Sequence, residues 1–143
     1  MAKKICMFAV LAVLICGAFG GFAEAKVRKF DNFSIDVPEG WKVNEDKENL
    51  TVSFIAPDES AAMTISIFEN EGESLEYYAK AFEKELGGNS LKKAGPGYIF
   101  LFENENGVAC RGLVSAANDE QLIMLMTAIG EHADFDKMVD SLQ

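Results

Sequence analysis

Apolar and polar residues alternate one by one over much of the first half of the chain. A period of two is typical of strands that bury one face. Proline and glycine within residues 38–40 interrupt the pattern, because proline lacks a ladder donor and glycine tolerates positive φ. The alternation predicts four strands, paired as antiparallel neighbours in sequence order, over residues 33–37, 41–43, 50–54 and 63–67.

The apolar period changes from 2 to 3.6 after residue 74, which predicts a helix over residues 75–86. Ser74 is suited to the N-cap, where its side chain accepts a backbone N–H of the first turn. Gly87 and Gly88 are typical of residues that follow a helix C-terminus. The apolar stripe of this helix consists of Leu75, Tyr78, Ala79, Phe82 and Leu86.

Three later strands differ in character from the first four: within residues 98–102 and 122–126, apolar residues occupy both alternating positions. They are predicted over residues 97–103, 108–116 and 121–129. Strands of this kind are covered on both faces. Something must therefore pack on each face of the sheet.

A short helix near the end of the chain supplies the second cover. Asp134 is its candidate N-cap. The apolar residues on one of its faces are Phe135, Met138, Val139 and Leu142. The fold class that follows is α+β: a three-layer α/β/α sandwich with a central, mainly antiparallel sheet of about six or seven strands and two main helices.

Residues 1–25 have the pattern of an export signal. Lys3 and Lys4 precede an apolar run over residues 5–22, and residues 23–25 read Ala-Glu-Ala, a small-x-small cleavage site. We expect cleavage there, which leaves residues 26–143 as one domain in the periplasm or outside the cell. Two alternatives tether the protein to a membrane: an uncleaved anchor, or acylation of Cys16.

Removal of the signal changes both the cysteine count and the charge. Cys6 and Cys16 leave with it, so Cys110 remains alone and no intrachain disulfide can form. The net charge of −10 becomes one unit more negative, because the signal carries two lysines and one glutamate. An acidic protein repels phosphate backbones and anionic lipids, which argues against nucleic acid and against a basic membrane-binding patch.

Candidate catalytic residues are few. His132 is the single histidine, and we expect it to be a surface residue in the turn before the last helix. No Gly-x-Ser-x-Gly motif presents a nucleophile. Cys110 lies in mid-strand with Arg111 on the opposite face, so a buried, unreactive thiol is expected. We therefore predict no catalytic residue and no enzyme activity.

Two loops rich in acidic and amide oxygens, residues 69–73 and 103–107, are the candidate ion sites. Neither has the spacing of a calcium loop, so solvated turns are favoured and no metal site is predicted. Residues 95–97 read Gly-Pro-Gly, a turn without the lysine and serine of a phosphate-binding loop. No cofactor is predicted.

Residues 33–41 read Phe-Ser-Ile-Asp-Val-Pro-Glu-Gly-Trp, which resembles the opening strand and turn of PsbP-like proteins. The ending is similar as well: a strand running into Thr-Ala-Ile-Gly at residues 127–130, then a closing helix that finishes at Ser141 and Leu142. The resemblance covers residues 30–142 in element order. It implies an antiparallel sheet between helices. It also implies an accessory or binding role, as in extrinsic photosystem II subunits, bacterial envelope proteins of the DcrB type and a Ran-binding relative.

The expected function is an exported, non-catalytic accessory or binding protein whose partner is an envelope protein or a small ligand. We expect Trp41 to be a packing anchor. A concave site for a small ligand would have Trp41, Tyr77, Tyr78 or Tyr98 in its lining. Two alternatives stay open: a small exported hydrolase or thiol enzyme that uses Cys110 or His132, and a calcium-responsive module.

Overall fold

The computed structural model describes residues 26–117 and 120–143. The predicted export signal therefore lies outside the described residues. Within them the chain forms nine strands and two helices. These are β1 (Lys26–Lys29), β2 (Ser34–Val37), β3 (Lys42–Asp46), β4 (Thr51–Ile55), β5 (Ala62–Glu69), α1 (Leu75–Glu85), β6 (Asn89–Ala94), β7 (Gly97–Glu103), β8 (Ala109–Ala117), β9 (Leu122–Ile129) and α2 (Phe135–Asp140).

Seven of the strands form one sheet in the order β3-β4-β5-β9-β8-β7-β6, and every pair in it is antiparallel. Strands β1 and β2 form a separate antiparallel pair. The two halves of the chain meet in the middle of the large sheet, where β5 pairs with β9 over eight residues. The predicted α+β fold with a mainly antiparallel sheet is confirmed.

The prediction that the strand at residues 33–37 belongs to the main sheet is wrong. β2 pairs with β1 on one side, and on the other side Ser34 exchanges two backbone hydrogen bonds with Gln143, of 3.0 and 3.1 Å. The turn after β2 contains Gly40 at φ 84°, which redirects the chain before β3 begins. One edge of β2 is thus paired with β1 and the other is bonded to Gln143, so neither edge pairs with the main sheet.

The seventh strand of the sheet is instead β6, which the sequence pattern does not reveal. It pairs with β7 alone and carries a register shift between Asn89 and Lys92. An edge strand buries little, so its sequence lacks apolar alternation, and lysines at Lys92 and Lys93 are typical of such edges. β1 is missed for the same reason, since its four residues are all exposed.

The two helices lie on opposite faces of the sheet, each over its own hydrophobic core. The α1-side core forms where Ala79 and Phe82 pack on β7, β8 and β9. The α2-side core forms where Phe135 and Met138 pack, together with β2, on residues of β4, β5 and β9. The three-layer arrangement predicted from the sequence is therefore present.

The ends of α1 follow their sequence signals. The side chain of Ser74 accepts a hydrogen bond of 3.1 Å from the backbone N–H of Tyr77. The helix ends at Glu85, and Gly87 follows with φ 67°. At the start of α2 the expectation fails in part: Asp134 holds the N-cap position, but its side chain makes no capping bond. Its carboxylate instead accepts a 3.3 Å hydrogen bond from the indole N–H of Trp41.

Candidate functional site

On each face of the sheet, the elements packed there (α1 on one face, α2 with β2 on the other) cover only part of the face. About half of each face is therefore less covered than the rest. On the α1 side, α1 contacts β6, β7 and β8, and the half-face over β4 and β5 lies beyond it. Hydroxyls pair across the two strands there, Thr51 with Ser66 at 3.2 Å and Ser53 with Thr64 at 3.4 Å. A polar half-face of this kind can meet water without cost.

The second half-face lies on the α2 side of β7 and β8, and it is apolar. Ile99 and Leu101 of β7 face this side with Leu113 of β8, and 51% of Leu101 is exposed to solvent. Together with α2 they enclose a groove of about 310 Å³, which we call the apolar groove. The apolar residues that line it include Met63, Ile99, Leu101, Leu113, Met126, Ala128, Phe135 and Val139.

Strand register explains how these residues come together. Ile99 lies opposite Leu113, which lies opposite Met126 on β9, so three apolar side chains form one row across the sheet. The next row runs from Leu101 through Arg111 to Ala128. Side chains opposite one another in antiparallel strands are neighbours on the same face. The floor of the groove is therefore apolar except at the position of Arg111.

Arg111 is the main charged group of the floor. Its guanidinium carbon lies 5.9 Å from the centre of the Phe135 ring, at the α2 wall of the groove. Lys92 lies opposite Ile99 and lines the outer rim, and Asp136 lines the rim formed by α2. In residues 26–117 and 120–143, neither Arg111 nor Lys92 takes part in a salt bridge.

A second, more open depression of about 390 Å³ adjoins the groove, and we call it the polar cleft. It is lined by Arg111, Glu131, His132, Ala133 and Asp136. Arg111 and Asp136 line both spaces. The groove thus passes from an apolar floor to a charged end at Arg111.

His132 lies in the turn before α2, as the sequence predicted, and its side chain is half-buried there. Its ring lies edge-on to Trp41, with 5.0 Å between ring centres, and its Nδ1 accepts a 3.1 Å hydrogen bond from the backbone N–H of Asp134. Trp41 is 8% exposed and also packs on Phe135. The indole is a packing anchor, as expected, and His132 is half-buried against it.

Cys110 lies on the α1 side of β8, away from the groove. It is 2% exposed, and its Sγ donates to the backbone carbonyl of Val108 at 3.3 Å. Burial raises the pKa of this thiol above its ordinary value. Arg111 points to the opposite face, so it does not stabilise a thiolate, and the burial of the thiol agrees with the expectation.

None of the four aromatic residues proposed for a concave site lines the apolar groove. Trp41 is in the α2-side core, and Tyr98 packs on the α1-side core. Tyr78 closes the loop after β5, where its hydroxyl accepts the Glu71 N–H at 2.6 Å, and Tyr77 lies against it on the surface. The sequence does contain a signal for the groove, the second apolar face of residues 97–103, but the prediction took that face to be covered.

The two acidic loops are organised by asparagine side chains. Asn70 Oδ1 accepts the backbone N–H groups of Gly72 and Glu73, and Asn104 Oδ1 accepts those of Asn106 and Val108. Both loops are thus tight turns held by an amide oxygen. In the described part of the chain, no group of three or more His, Cys, Asp or Glu side chains is placed to hold a metal ion.

No helix among the described residues has the length and apolar character needed to cross a membrane.

Comparison with known proteins finds no matching family model and no matching curated protein. A crystal structure from Bacteroides thetaiotaomicron VPI-5482 is similar in fold, with 20% identity and a TM-score of 0.51 over 78% of this chain. The alignment spans 44% of that protein, less than half of its length. At this identity the match shows the fold alone.

The solution structure of cyanobacterial PsbP (CyanoP) from Synechocystis sp. PCC 6803 is also among the matches. It has 12% identity and a TM-score of 0.49, and the match covers 89% of this chain and 97% of that one. The PsbP-like resemblance predicted from residues 33–41 is confirmed to the extent that a PsbP structure is among the structural matches. A TM-score of 0.49 supports no inference about what this chain binds.

Proposed function

We propose that this chain is an exported, non-catalytic binding protein that holds the apolar part of a small molecule in the apolar groove. The observation that carries the proposal is the uncovered second face of β7 and β8. β7 is apolar on both faces, and α1 covers the face that carries Phe100 and Phe102. On the other face Leu101 remains half exposed beside Ile99 and Leu113.

An open apolar surface has a free-energy cost, because each square ångström of apolar area left in water forgoes about 25 cal/mol. The same sheet carries serine and threonine on its other open half-face, so an uncovered surface in this fold need not be apolar. Concave apolar surfaces with a few charged groups are typical of ligand sites. The groove volume of about 310 Å³ lies within the range of small-molecule pockets.

Export and the absence of catalysis are parts of the same proposal. Export is supported by the pattern of residues 1–25, with Lys3 and Lys4 before an apolar run and Ala-Glu-Ala at its end. A non-catalytic role is supported by the burial of Cys110 and by the packing of His132 against Trp41. The intact mass of the exported protein tests the first part, and a chain that begins at Lys26 is expected.

Binding of Nile red, an uncharged apolar dye, tests the groove. We expect saturable binding to the exported protein and weaker binding to Leu101→Gln. Leu101 is 51% exposed, and burial of the remaining half of a leucine stabilises by about 1 kcal/mol, or about fivefold in Kd.

Val27→Gln is the matched control. Val27 is also exposed, at 62%, and lies on β1, outside the lining of the groove. Its dye binding should equal that of the unaltered protein. An equal loss in both variants, or no saturable binding at all, would contradict the proposed site.

A further inference from the structure

We propose that the ligand of the apolar groove is a single-chain amphiphile with a carboxylate head, its chain on the floor of the groove and its head against Arg111. This inference rests on the proposed function and names the class of ligand. Three observations support it: the position of Arg111, the charge of the lining and the polar cleft beyond it.

Arg111 occupies the one position at which a charged side chain rises from the apolar floor. It lies between Leu101 and Ala128 in one cross-strand row, and Leu113 follows it on the same face of β8. Its guanidinium is near the face of Phe135, a contact that orients the planar fork without using its N–H donors. A guanidinium held in this way can bind a carboxylate through two parallel hydrogen bonds.

The charge of the lining is opposite in sign to that of the protein. The chain has a net charge of −10, whereas the groove is lined by two cations, Lys92 and Arg111, and one carboxylate, Asp136. In the described residues neither cation takes part in a salt bridge. Their charge is therefore available to a ligand, and a single negative charge complements the excess of one positive charge.

The polar cleft decides between a singly and a doubly charged head. Glu131 and Asp136 line it together with Arg111. A dianionic phosphate would place two charges beside these two carboxylates, and like charges at close range repel. A carboxylate brings one charge, which Arg111 can neutralise. The same two carboxylates would favour a cationic head if they, and not Arg111, governed the site.

Three probes with the same chain and different heads test the inference: decanoate, decanol and decyltrimethylammonium, each below its micellar concentration. Titration calorimetry gives Kd, and the fluorescence of Trp41, the single tryptophan, gives a second readout because its ring lies 6.0 Å from that of Phe135. We expect decanoate to bind at least about tenfold more tightly than decanol, and decyltrimethylammonium to bind more weakly than either.

Arg111→Gln should weaken decanoate about tenfold and leave decanol unchanged, because the hydrogen bonds to a charged head are lost while the floor remains. Lys92→Gln should weaken decanoate less, since Lys92 lies at the rim. Lys93→Gln is the matched control: it removes the same charge from the adjacent position of β6, whose cross-strand partner is Tyr98 on the other face. Its Kd for decanoate should not change.

The outcomes separate this inference from the proposed function. Equal affinity for all three probes, or preference for the cationic one, overturns the carboxylate ligand while the groove stands as an apolar site. Equal effects of Arg111→Gln and Lys93→Gln on the Kd for decanoate would mean that the general surface charge, and not Arg111, determines the affinity. That result would also overturn the inference of a carboxylate ligand. Absence of binding by every probe overturns the proposed function itself. Two further results overturn the inference: a dimer that Leu101→Gln dissociates, and co-sedimentation with anionic vesicles that Arg111→Gln abolishes.

Discussion

Substitution of Gly112 by alanine should destabilise the protein, although the same change in an open strand is favourable. Gly112 on β8 lies directly opposite Phe100 on β7, and both are on the α1 side of the sheet. A Cβ at this position would lie 2.6 Å from Cε1 and 2.7 Å from Cε2 of the Phe100 ring. The aromatic ring therefore occupies the space that any larger residue needs.

Two opposing contributions give the expected magnitude. Alanine loses less backbone entropy than glycine on folding, which stabilises an unstrained strand by about 0.5–1 kcal/mol. Forcing one carbon into a packed core costs about 1–3 kcal/mol, since Phe100 is 1% exposed and has little room to move. Because the new Cβ would lie less than 3.0 Å from ring carbons, the cost falls in the upper part of this range, and the net effect of Gly112→Ala should be a loss of about 1–2 kcal/mol in the free energy of unfolding.

Urea denaturation followed by circular dichroism measures this loss, and two further variants show its cause. Phe100→Leu shortens the side chain that the new Cβ would meet, so Gly112→Ala should cost less in that background, with a coupling of about 1 kcal/mol in a double-mutant cycle. Ala116→Gly, at an exposed position of the same strand, calibrates the difference between glycine and alanine without a clash.

The reasoning is refuted if Gly112→Ala is as stable as the unaltered protein or more stable. It is also refuted if the cost is the same with phenylalanine or leucine at position 100, because the clash is then not with the ring. The neighbours Leu101 and Arg111 line the groove from the other face of the same strands. A displaced pair of strands would also weaken the binding of Nile red.

Two further predictions concern the buried thiol and the indole. Burial raises the pKa of Cys110 above its ordinary value of 9.0, so the stability that the neutral thiol contributes is present below about pH 9 and is lost as the pH rises through the folded-state pKa. Urea denaturation at pH 8 and at pH 10 should therefore show a larger loss of stability for the unaltered protein than for Cys110→Ala. Equal losses would contradict this reasoning. Trp41→Phe keeps an aromatic ring but removes the hydrogen-bond donor to Asp134. We expect a loss of about 1 kcal/mol or somewhat more in the free energy of unfolding, measured by the same urea denaturation. An unchanged free energy of unfolding would show that this hydrogen bond contributes nothing.

Local signals predicted the elements well where one face is buried. The helix at Leu75–Glu85 follows from its 3.6 period, its cap at Ser74 and the glycines after it, and the structure has all three. The three later predicted strands became β7, β8 and β9 within one or two residues. Edge strands β1 and β6 were missed, because a strand that buries little has no apolar pattern to read.

Pairing was harder to predict than the elements themselves. The alternation of residues 33–37 is real, since Ile35 and Val37 are buried, but alternation states only that one face is covered. Whether β2 joins the sheet or packs on it depends on the turn at Gly40 and on the bonds between Ser34 and Gln143, more than a hundred residues apart in the chain. Contacts of that range are not contained in a local pattern.

The site shows the same division. By itself the sequence determined that residues 97–103 and 121–129 are apolar on both faces and that Arg111 and Cys110 point to opposite faces. Only the tertiary structure decided that α1 covers one face, that α2 stops short of Leu101 on the other, and that Arg111 lies beside Phe135 at the end of the groove. The physical reason is that periodicity reports which side chains avoid water, whereas a binding site is defined by where the cover ends, and that depends on packing between distant segments.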